Sequence, residues 1–454
     1  MLKQLKLVSI EISNIKNVQY GVINFKNKNE ISHLTGIYGQ NGSGKTSVIN
    51  AVSFIKDLVE DSVNKKEYFD MLTYGMEATI KILFDINNYG VEYSVTFEKI
   101  RTEELGQDVI VILKESLITN IESKKTLIDF WMINDTEFEV FPRFRFPITR
   151  INTAKFSSVI TNNRNKGKSF IFSQIIREYI ESTRESKTEN RIKEIYKIIS
   201  KNLANNIFIY SNQYSGMINM NTSGLPVPLH FYYEGKTSRS YGVFPLNIQD
   251  SFNISEKEFR LINHVFKQIN TVLPKIIPEL TISLKELRPT VNDKGENELV
   301  VQVISNRNGK SIPFRSESDG IKKLVSILSS LINAYSSKTA IILIDELDSG
   351  IFEFLLGEIL DVLSKGAKGQ IIFTSHNLRP LEILEDDNIV FTTINPQNRY
   401  VRKTTKETNN LRNVYIREIQ VNSGPDAVYD SSDLFLIQRA FRQAGKLKES
   451  ESTE

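Results

Sequence analysis

The stretch GIYGQNGSGKTSVINAV, residues 36–52, limits what this chain can fold into more than any other part of it. From Gly39 through Gly44, Lys45 and Thr46 it fits G-x-x-x-x-G-K-[ST], the pattern of a loop that wraps phosphate. Glycines let the backbone close around an anion without Cβ clashes, so that successive N–H groups point at it. In such a loop Lys45 reaches the β- and γ-phosphates of a nucleotide and the Thr46 hydroxyl holds Mg²⁺. Asn41, Gly42, Ser43, Gly44 and Ser47 complete the cradle. The flanks agree. The apolar run from His33 to Tyr38 predicts a strand before the loop, and Val48, Ile49, Val52 and Ile55 recur at helical spacing after it. A helix there directs its partial positive charge at the phosphates. A Gly-rich turn arising by chance gives no reason for that setting.

Two further apolar runs carry chemistry at their ends. Ala340 to Ile344 reads as a buried parallel strand ending in Asp345 and Glu346, with Asp348 two residues on. A carboxylate at a strand end can bind Mg²⁺ through water, and the next can orient or deprotonate an attacking water. Gln370 to Thr374 is a second such run, ending in Ser375 and His376. A lone histidine is more often structural, but after a phosphate loop and a strand-end Asp-Glu an imidazole is suited to the γ-phosphate. In RSESDGIKK, residues 315–323, Ser318, Gly320 and a helix start occur together, a second anion-binding arrangement. Apolar stripes predict helices over Gly320 to Asn333 and Phe352 to Leu363, which suits an α/β fold.

Elsewhere the chemistry is sparser. Strands are expected in KLVSIEI and VQYGVINF near the start, then over Ala78 to Ile86, Val91 to Phe97 and Val109 to Leu113. Asn87-Asn88-Tyr89-Gly90 suits a hairpin turn, and Trp131 reads as core. Between Arg143 and Lys201 fourteen Lys or Arg face five Glu, an excess of nine. Two apolar stripes lie inside that window, Phe172-Ile175-Ile176-Tyr179-Ile180 and Ile192-Ile195-Tyr196-Ile199-Leu203. They predict an inserted helical arm whose positive face suits nucleic-acid phosphates, an acidic protein or simply solvent. A helix is expected over Ser255 to Leu273, closed by Pro274 and Pro278, and strands over Leu280 to Leu287 and Leu299 to Ile304. A last strand follows in PLEILEDDNIVFTTI. Beyond it comes a basic, strand-poor segment in which Arg399, Arg402 and Lys403 read as solvated surface. A short helix within Ser432 to Gly445 and a disordered tail end the chain.

Composition removes several classes of function. Zero cysteines exclude disulfides, thiolate catalysis and cysteine-ligated zinc or iron–sulfur centres. A net charge of +3 on 454 residues does not by itself imply a nucleic-acid partner. No apolar run approaches the roughly 18 residues of a membrane span. The alternating MLKQLKLVSIEI lacks a signal peptide's apolar core, so the expected location is cytoplasmic.

Taken in order, the phosphate loop, the large insertion, the Ser-x-Gly helix start, DELD and the strand-end SH resemble an ABC-type ATPase head. More narrowly, IYGQNGSGKTS, SESDGIKKL, LIDELDSGIFEFLLGEIL and IIFTSHNLRPLE are similar to soluble AAA-type ATPases of the OLD-like group. That group includes ATPase subunits of the bacterial anti-phage systems Septu and PARIS. The resemblance implies an α/β head, a mixed sheet with an antiparallel β-layer, carrying a helical insertion. The expected division is 1–142 and 281–397 for the head, 143–280 for the basic insertion and 398–454 for an extension. It implies ATP and Mg²⁺ as cofactors, with Thr46, Asp345 and a glutamine at the metal. Gln213 and Gln174 are both candidates for that glutamine, and Gln213 is favoured. Glu346 is then the catalytic base and His376 the switch histidine. Ser318 and Gly320 meet the γ-phosphate of a second protomer, and Asp348 communicates across the dimer. SESDG departs from the LSGGQ of transporters. The expected partners are a second copy and a separate effector, a nuclease, with nucleic acid possible through the basic arm and no membrane. The alternative is a DNA-binding repair ATPase related to SMC proteins, although sustained heptads and a cysteine hook are missing.

Overall fold

Alternation in the first part of the chain builds an antiparallel sheet. The computed structural model describes residues 2–27, 30–60, 63, 65–101, 106–119, 128–132, 138–141, 166–182, 187–211, 227–234, 239–246, 250–404, 410–421, 424–430 and 432–445. Seven strands lie in the order Phe138–Phe141, Ile128–Met132, Asp108–Thr119, Tyr89–Arg101, Ala78–Ile86, Leu5–Ile15, Val18–Asn24. Ala78, Ile80, Ile82, Phe84 and Ile86 are buried and their neighbours are not, the mark of a strand with one face covered. Ile86 pairs with Tyr89 across Asn87 and Asn88, whose φ values of 53° and 70° make the two-residue turn that suits the twist of a hairpin. Trp131 lies in the strand opposite Lys114 and Glu139, but its side chain falls outside the described residues.

A second sheet is mostly parallel, in the order Ile207–Tyr210, Ile341–Ile344, Gln370–Ser375, Leu34–Tyr38, Ile389–Thr392, Tyr400–Val401. The first five strands run parallel and the last antiparallel. The strands over 34–38, 341–344, 370–375 and 389–392 are buried along their whole length, as sheet strands covered on both faces must be. The helix Lys45–Glu60 joins the two layers. Its Val48, Val52 and Ile55 share one core with Ile10 and Ile82 of the antiparallel sheet and with Leu343 and Ile372 of the parallel one.

The two expected basic helices form over Gln174–Ser182 and Lys187–Asn206. Phe172, Ile176, Ile180, Ile195, Tyr196, Ile199 and Leu203 enter the core of the phosphate-loop helix, so these faces are packed into the head and do not stand off as an arm. The buried Glu115 fastens that junction, accepting from the Phe170 and Ile171 amides at 2.8 and 3.1 Å and from the Tyr93 and Ser169 hydroxyls. The side chains of Ile175, Tyr179 and Ile192 and residues 142–165 lie outside the described residues.

A third unit is an antiparallel sheet of Phe252–Ser255, Thr281–Val291, Asn297–Arg307 and Lys310–Pro313. Two helices, Glu256–Ile276 and Asp319–Ser336, share its core through Val265, Phe266, Leu324 and Leu328. Ser255 and Glu258 form a reciprocal capping box at the first. That helix carries Pro274 in its last turn and runs on to Ile276, past the expected stop. The helix Asp319–Ser336 also lends Ile327, Leu331 and Ala334 to the parallel-sheet core, and so bridges the two units.

The segment after the last parallel strand differs from expectation. Arg399 is buried and not solvated, and its guanidinium donates to the Thr393 and Asn17 carbonyls at 2.6 Å each. Arg402 reaches the carbonyls of Asp387, Ile389 and Asn24, and Lys403 pairs with Glu418 at 3.0 Å. The basic stretch also forms a helix, Leu411–Val421, whose Tyr415 stacks on Phe391 with ring centres 5.1 Å apart. Arg399 and Arg402 look solvated in sequence because their acceptors are backbone carbonyls, which leave no side-chain pattern along the chain.

Candidate nucleotide site

Strand order brings the expected segments together. Ser375 pairs with Tyr38 and Phe373 with Ile344, so the strands ending at the phosphate loop, at Asp345 and at His376 are neighbours with a common direction. Their carboxyl ends open on one edge of the parallel sheet, the edge where α/β folds bind ligands.

The loop itself follows from its glycines. Gly42 and Gly44 take φ of 75° and 94°, and a Cβ on Gly39 would sit 1.7 Å from Thr392 Oγ1. Ser43 Oγ lies 2.5 Å from that same hydroxyl. The Tyr400 hydroxyl donates to the Gly44 carbonyl at 2.8 Å, and the Asp430 amide donates to Gln40 Oε1 at 2.7 Å. Lys45 Nζ donates to the Gly39 and Gln40 carbonyls, both at 2.8 Å. Burial lowers the Lys45 pKa to about 8, against the opposite pull of Asp345, Glu346 and Asp348. Asn41 and Gly42 are exposed at the mouth, whereas Ser43, Gly44 and Ser47 are buried.

Thr46 lies in the first turn of the helix and its hydroxyl donates towards both oxygens of Asp345, at 3.2 and 3.1 Å. Asp345 is buried and also accepts from Thr374 Oγ1 at 2.6 Å, while its amide donates to the Tyr210 carbonyl at 2.8 Å. The Glu346 amide donates to the same Thr374 hydroxyl at 2.7 Å. Glu346 has a φ of 46°, a left-handed conformation uncommon for a residue with a Cβ. Asp348 Oδ2 accepts the His376 amide at 3.2 Å, and Asp348 Oδ1 is buried with no hydrogen-bond partner among the described residues. Lost hydration first, then the Lys45 ammonium, hold the His376 imidazole below its usual pKa, so the ring is neutral near pH 7.

Ser318 is exposed and caps the helix Asp319–Ser336, accepting from the Ile321 amide at 3.4 Å. Gly320 is buried against the turn after Asp348, where an added Cβ would lie 1.8 Å from the Gly350 carbonyl oxygen. A close backbone approach within the chain is thus one reason for a glycine there. Lys323, further along the helix, donates to the Glu346 carbonyl.

Gln213 lies outside the described residues. Gln174 is exposed at the start of its helix and donates to Glu178 Oε1 at 2.8 Å. Reading by motif also missed Thr374, Lys323, Thr392, Tyr400 and Gln40. Gln40 lies inside the loop pattern at a position that any residue satisfies, and Thr374 stands one residue before the SH pair. Neither Lys323 nor Tyr400 carries a local signal.

The donors suit a hard divalent cation. Among the described residues no group of three or more His, Asp or Glu is placed to hold a metal alone. One hydroxyl and one carboxylate meeting beside a phosphate loop are nevertheless what Mg²⁺ takes from a protein when phosphates and water supply its other ligands. Thr46 and Asp345 place one hydroxyl and one carboxylate together there, a pair that would fit such an ion.

Among solved structures, an SMC head bound to the C-winged helix domain of ScpA is similar at 13% identity and a TM-score of 0.41, covering 88% of this chain and 98% of that one. An SMC head with an extended coiled coil bound to the C-terminal domain of ScpA, from Pyrococcus furiosus, gives 11% and 0.43, covering 92% and 100%. The SMC head domain from Thermotoga maritima gives 12% and 0.36, covering 88% and 100%. Similarity at this level is too loose to transfer any property. No curated protein matches in sequence. The family described as "AAA domain, putative AbiEii toxin, Type IV TA system" matches residues 34–382. That span runs from the strand before the phosphate loop to the short helix Pro380–Ile383 beyond His376, and the chain belongs to this family of P-loop ATPases.

Proposed function

We propose that this chain binds ATP with Mg²⁺, hydrolyses it, and associates with a second copy around the nucleotide to control a separate effector. The contact between Thr46 and Asp345 carries this reading, because it joins the phosphate loop to the acidic strand end at the distance a shared cation needs. In the proposed roles Lys45 binds the β- and γ-phosphates, and Thr46 and Asp345, with Gln213, hold the metal. When bound, Mg²⁺ neutralises charge on the phosphate oxygens. Glu346 orients or deprotonates the attacking water, and a neutral His376 donates to the γ-phosphate.

The exposed Ser318 and its helix start are offered to the nucleotide of the second copy, with Asp348 between the two sites. A ligand bound between two copies stabilises their association only while it distinguishes the paired state from the free one. Loss of the γ-phosphate weakens that distinction, so hydrolysis times the pairing. A nuclease effector and a role in defence against phage are proposed from the motif resemblance to the OLD-like group. A nuclease gene beside this one would support them.

The test is a mass measurement in solution with and without ATP. Glu346→Gln is expected to retain nucleotide, lose turnover and shift to the dimer mass, whereas Lys45→Ala stays monomeric and binds no ATP. Normal turnover by Glu346→Gln would remove Glu346 from its role. Salt-sensitive DNA binding that stimulates hydrolysis would favour the DNA-repair alternative instead.

A further inference from the structure

We infer that Lys323 is a positioning residue for Glu346, tying the conformation of the water-activating acid to the helix that begins at Ser318. The inference rests on the reading of Glu346 as that acid, and deepens it. Lys323 lies in the helix Asp319–Ser336, five positions after the exposed Ser318, and its ammonium donates to the Glu346 carbonyl. Withdrawing an ammonium from water is costly unless it gains charge-assisted hydrogen bonds or nearby opposite charge. Lys323 has both. Burial lowers its pKa, while Asp348, Glu346 and Asp345, in that order, pull it back up.

The acceptor is the carbonyl of a strained residue. A left-handed φ is unfavourable for a residue with a Cβ, so Glu346 holds its φ of 46° only because its surroundings enforce it. Among the described residues, three contacts contribute to this. Its amide donates to Thr374 Oγ1 at 2.7 Å, and its carbonyl accepts from the Ser349 amide at 3.0 Å and from Lys323. Thr374 belongs to the sheet and Ser349 to the turn itself, so Lys323 is the contact from the Ser318 helix. A second link runs in parallel, since the Gly320 backbone is pressed against Gly350 at the end of the same turn. The helix start and the Glu346 turn therefore move together. Whatever engages Ser318, a second copy's nucleotide in the proposed dimer, changes the aim of the Glu346 carboxylate through Lys323.

The test uses the full chain with Lys323→Met, which keeps the stem and loses the donor, and Lys323→Arg, which keeps a cationic donor. ATP affinity, kcat and amide hydrogen exchange over residues 346–351 are measured in each. Lys323→Met is expected to bind ATP within about threefold of wild type, to lose about 10- to 100-fold in kcat, and to exchange faster over 346–351. Lys323→Arg is expected to recover most of the kcat and the protection. Unchanged kcat and exchange in Lys323→Met would overturn the inference, as would equal losses in both variants. Should Lys323→Met not fold, Lys323→Gln replaces it, with activity lost in Gln and kept in Arg as the supporting result and activity kept in both as the overturning one. If the wild type binds ATP without hydrolysing it, the ATPase reading fails separately, and the exchange data alone decide whether Lys323 holds the turn.

Discussion

The Thr374 hydroxyl donates to Asp345 Oδ1 at 2.6 Å and accepts the Glu346 amide at 2.7 Å, so one side chain orients both acids. Thr374→Val keeps the shape and removes both bonds, leaving a buried carboxylate oxygen and an amide short of a partner. An expected loss of about 1–3 kcal/mol in urea unfolding follows from the usual cost of such groups. A kcat at least tenfold lower should accompany it, with ATP affinity little changed. Lys45 makes a prediction about pH. In the free protein its pKa is about 8, and phosphate oxygens would raise it, so the complex binds more protons than its components do. Binding above that pH therefore takes up a proton, and affinity should fall by up to about tenfold per pH unit. Calorimetry near pH 8.5 in two buffers of different ionisation enthalpy measures the uptake directly. Equal heats in the two buffers would contradict it.

Among elements, the segment after the last parallel strand acts as a brace for the phosphate loop. Tyr400 holds the Gly44 carbonyl, Asp430 holds Gln40, and the Arg399 side chain packs about 3.4 Å from where a Gly44 Cβ would stand. Arg399→Ala withdraws a charged donor from the Thr393 and Asn17 carbonyls, and an expected destabilisation of about 2–3 kcal/mol is readable by urea unfolding. Weaker ATP binding should come with it, because Thr393 follows directly on the Thr392 hydroxyl that meets Ser43. A stability change below about 0.5 kcal/mol would show that the brace is not a fold element. The bridging helix Asp319–Ser336 has a different task. It serves two cores and carries Ser318 and Lys323, so the packing of the third sheet bears on the acidic turn.

At the scale of the molecule, one helix lies exposed among the described residues. The helix Leu434–Ala444 has no buried residue, with Leu434 80% and Phe441 77% exposed, although Asp433 caps it well. Removing residues 432–454 is therefore expected to leave Tm within about 2 °C of the full chain, as scanning calorimetry would show. A fall of more than about 5 °C would mean that the helix is docked on the head. Across the described residues no helix is long and apolar enough to cross a membrane.

How far the sequence could be read depended on the distance between the groups involved. The phosphate loop, its flanking strand and helix, the Asp345-Glu346 strand end and the Asn87-Asn88 turn are written in contiguous residues, so local spacing and glycine sterics alone determined them. The meeting of Thr46 with Asp345 joins positions 299 apart and needed the strand order of the parallel sheet to become visible. Burial of Arg399, the inward packing of Ile176 and Ile195, and the contact from Lys323 to Glu346 were decided by tertiary structure alone. A cation's partners there are backbone carbonyls, which every residue has, and no pattern of side chains along the chain records which carbonyl will arrive.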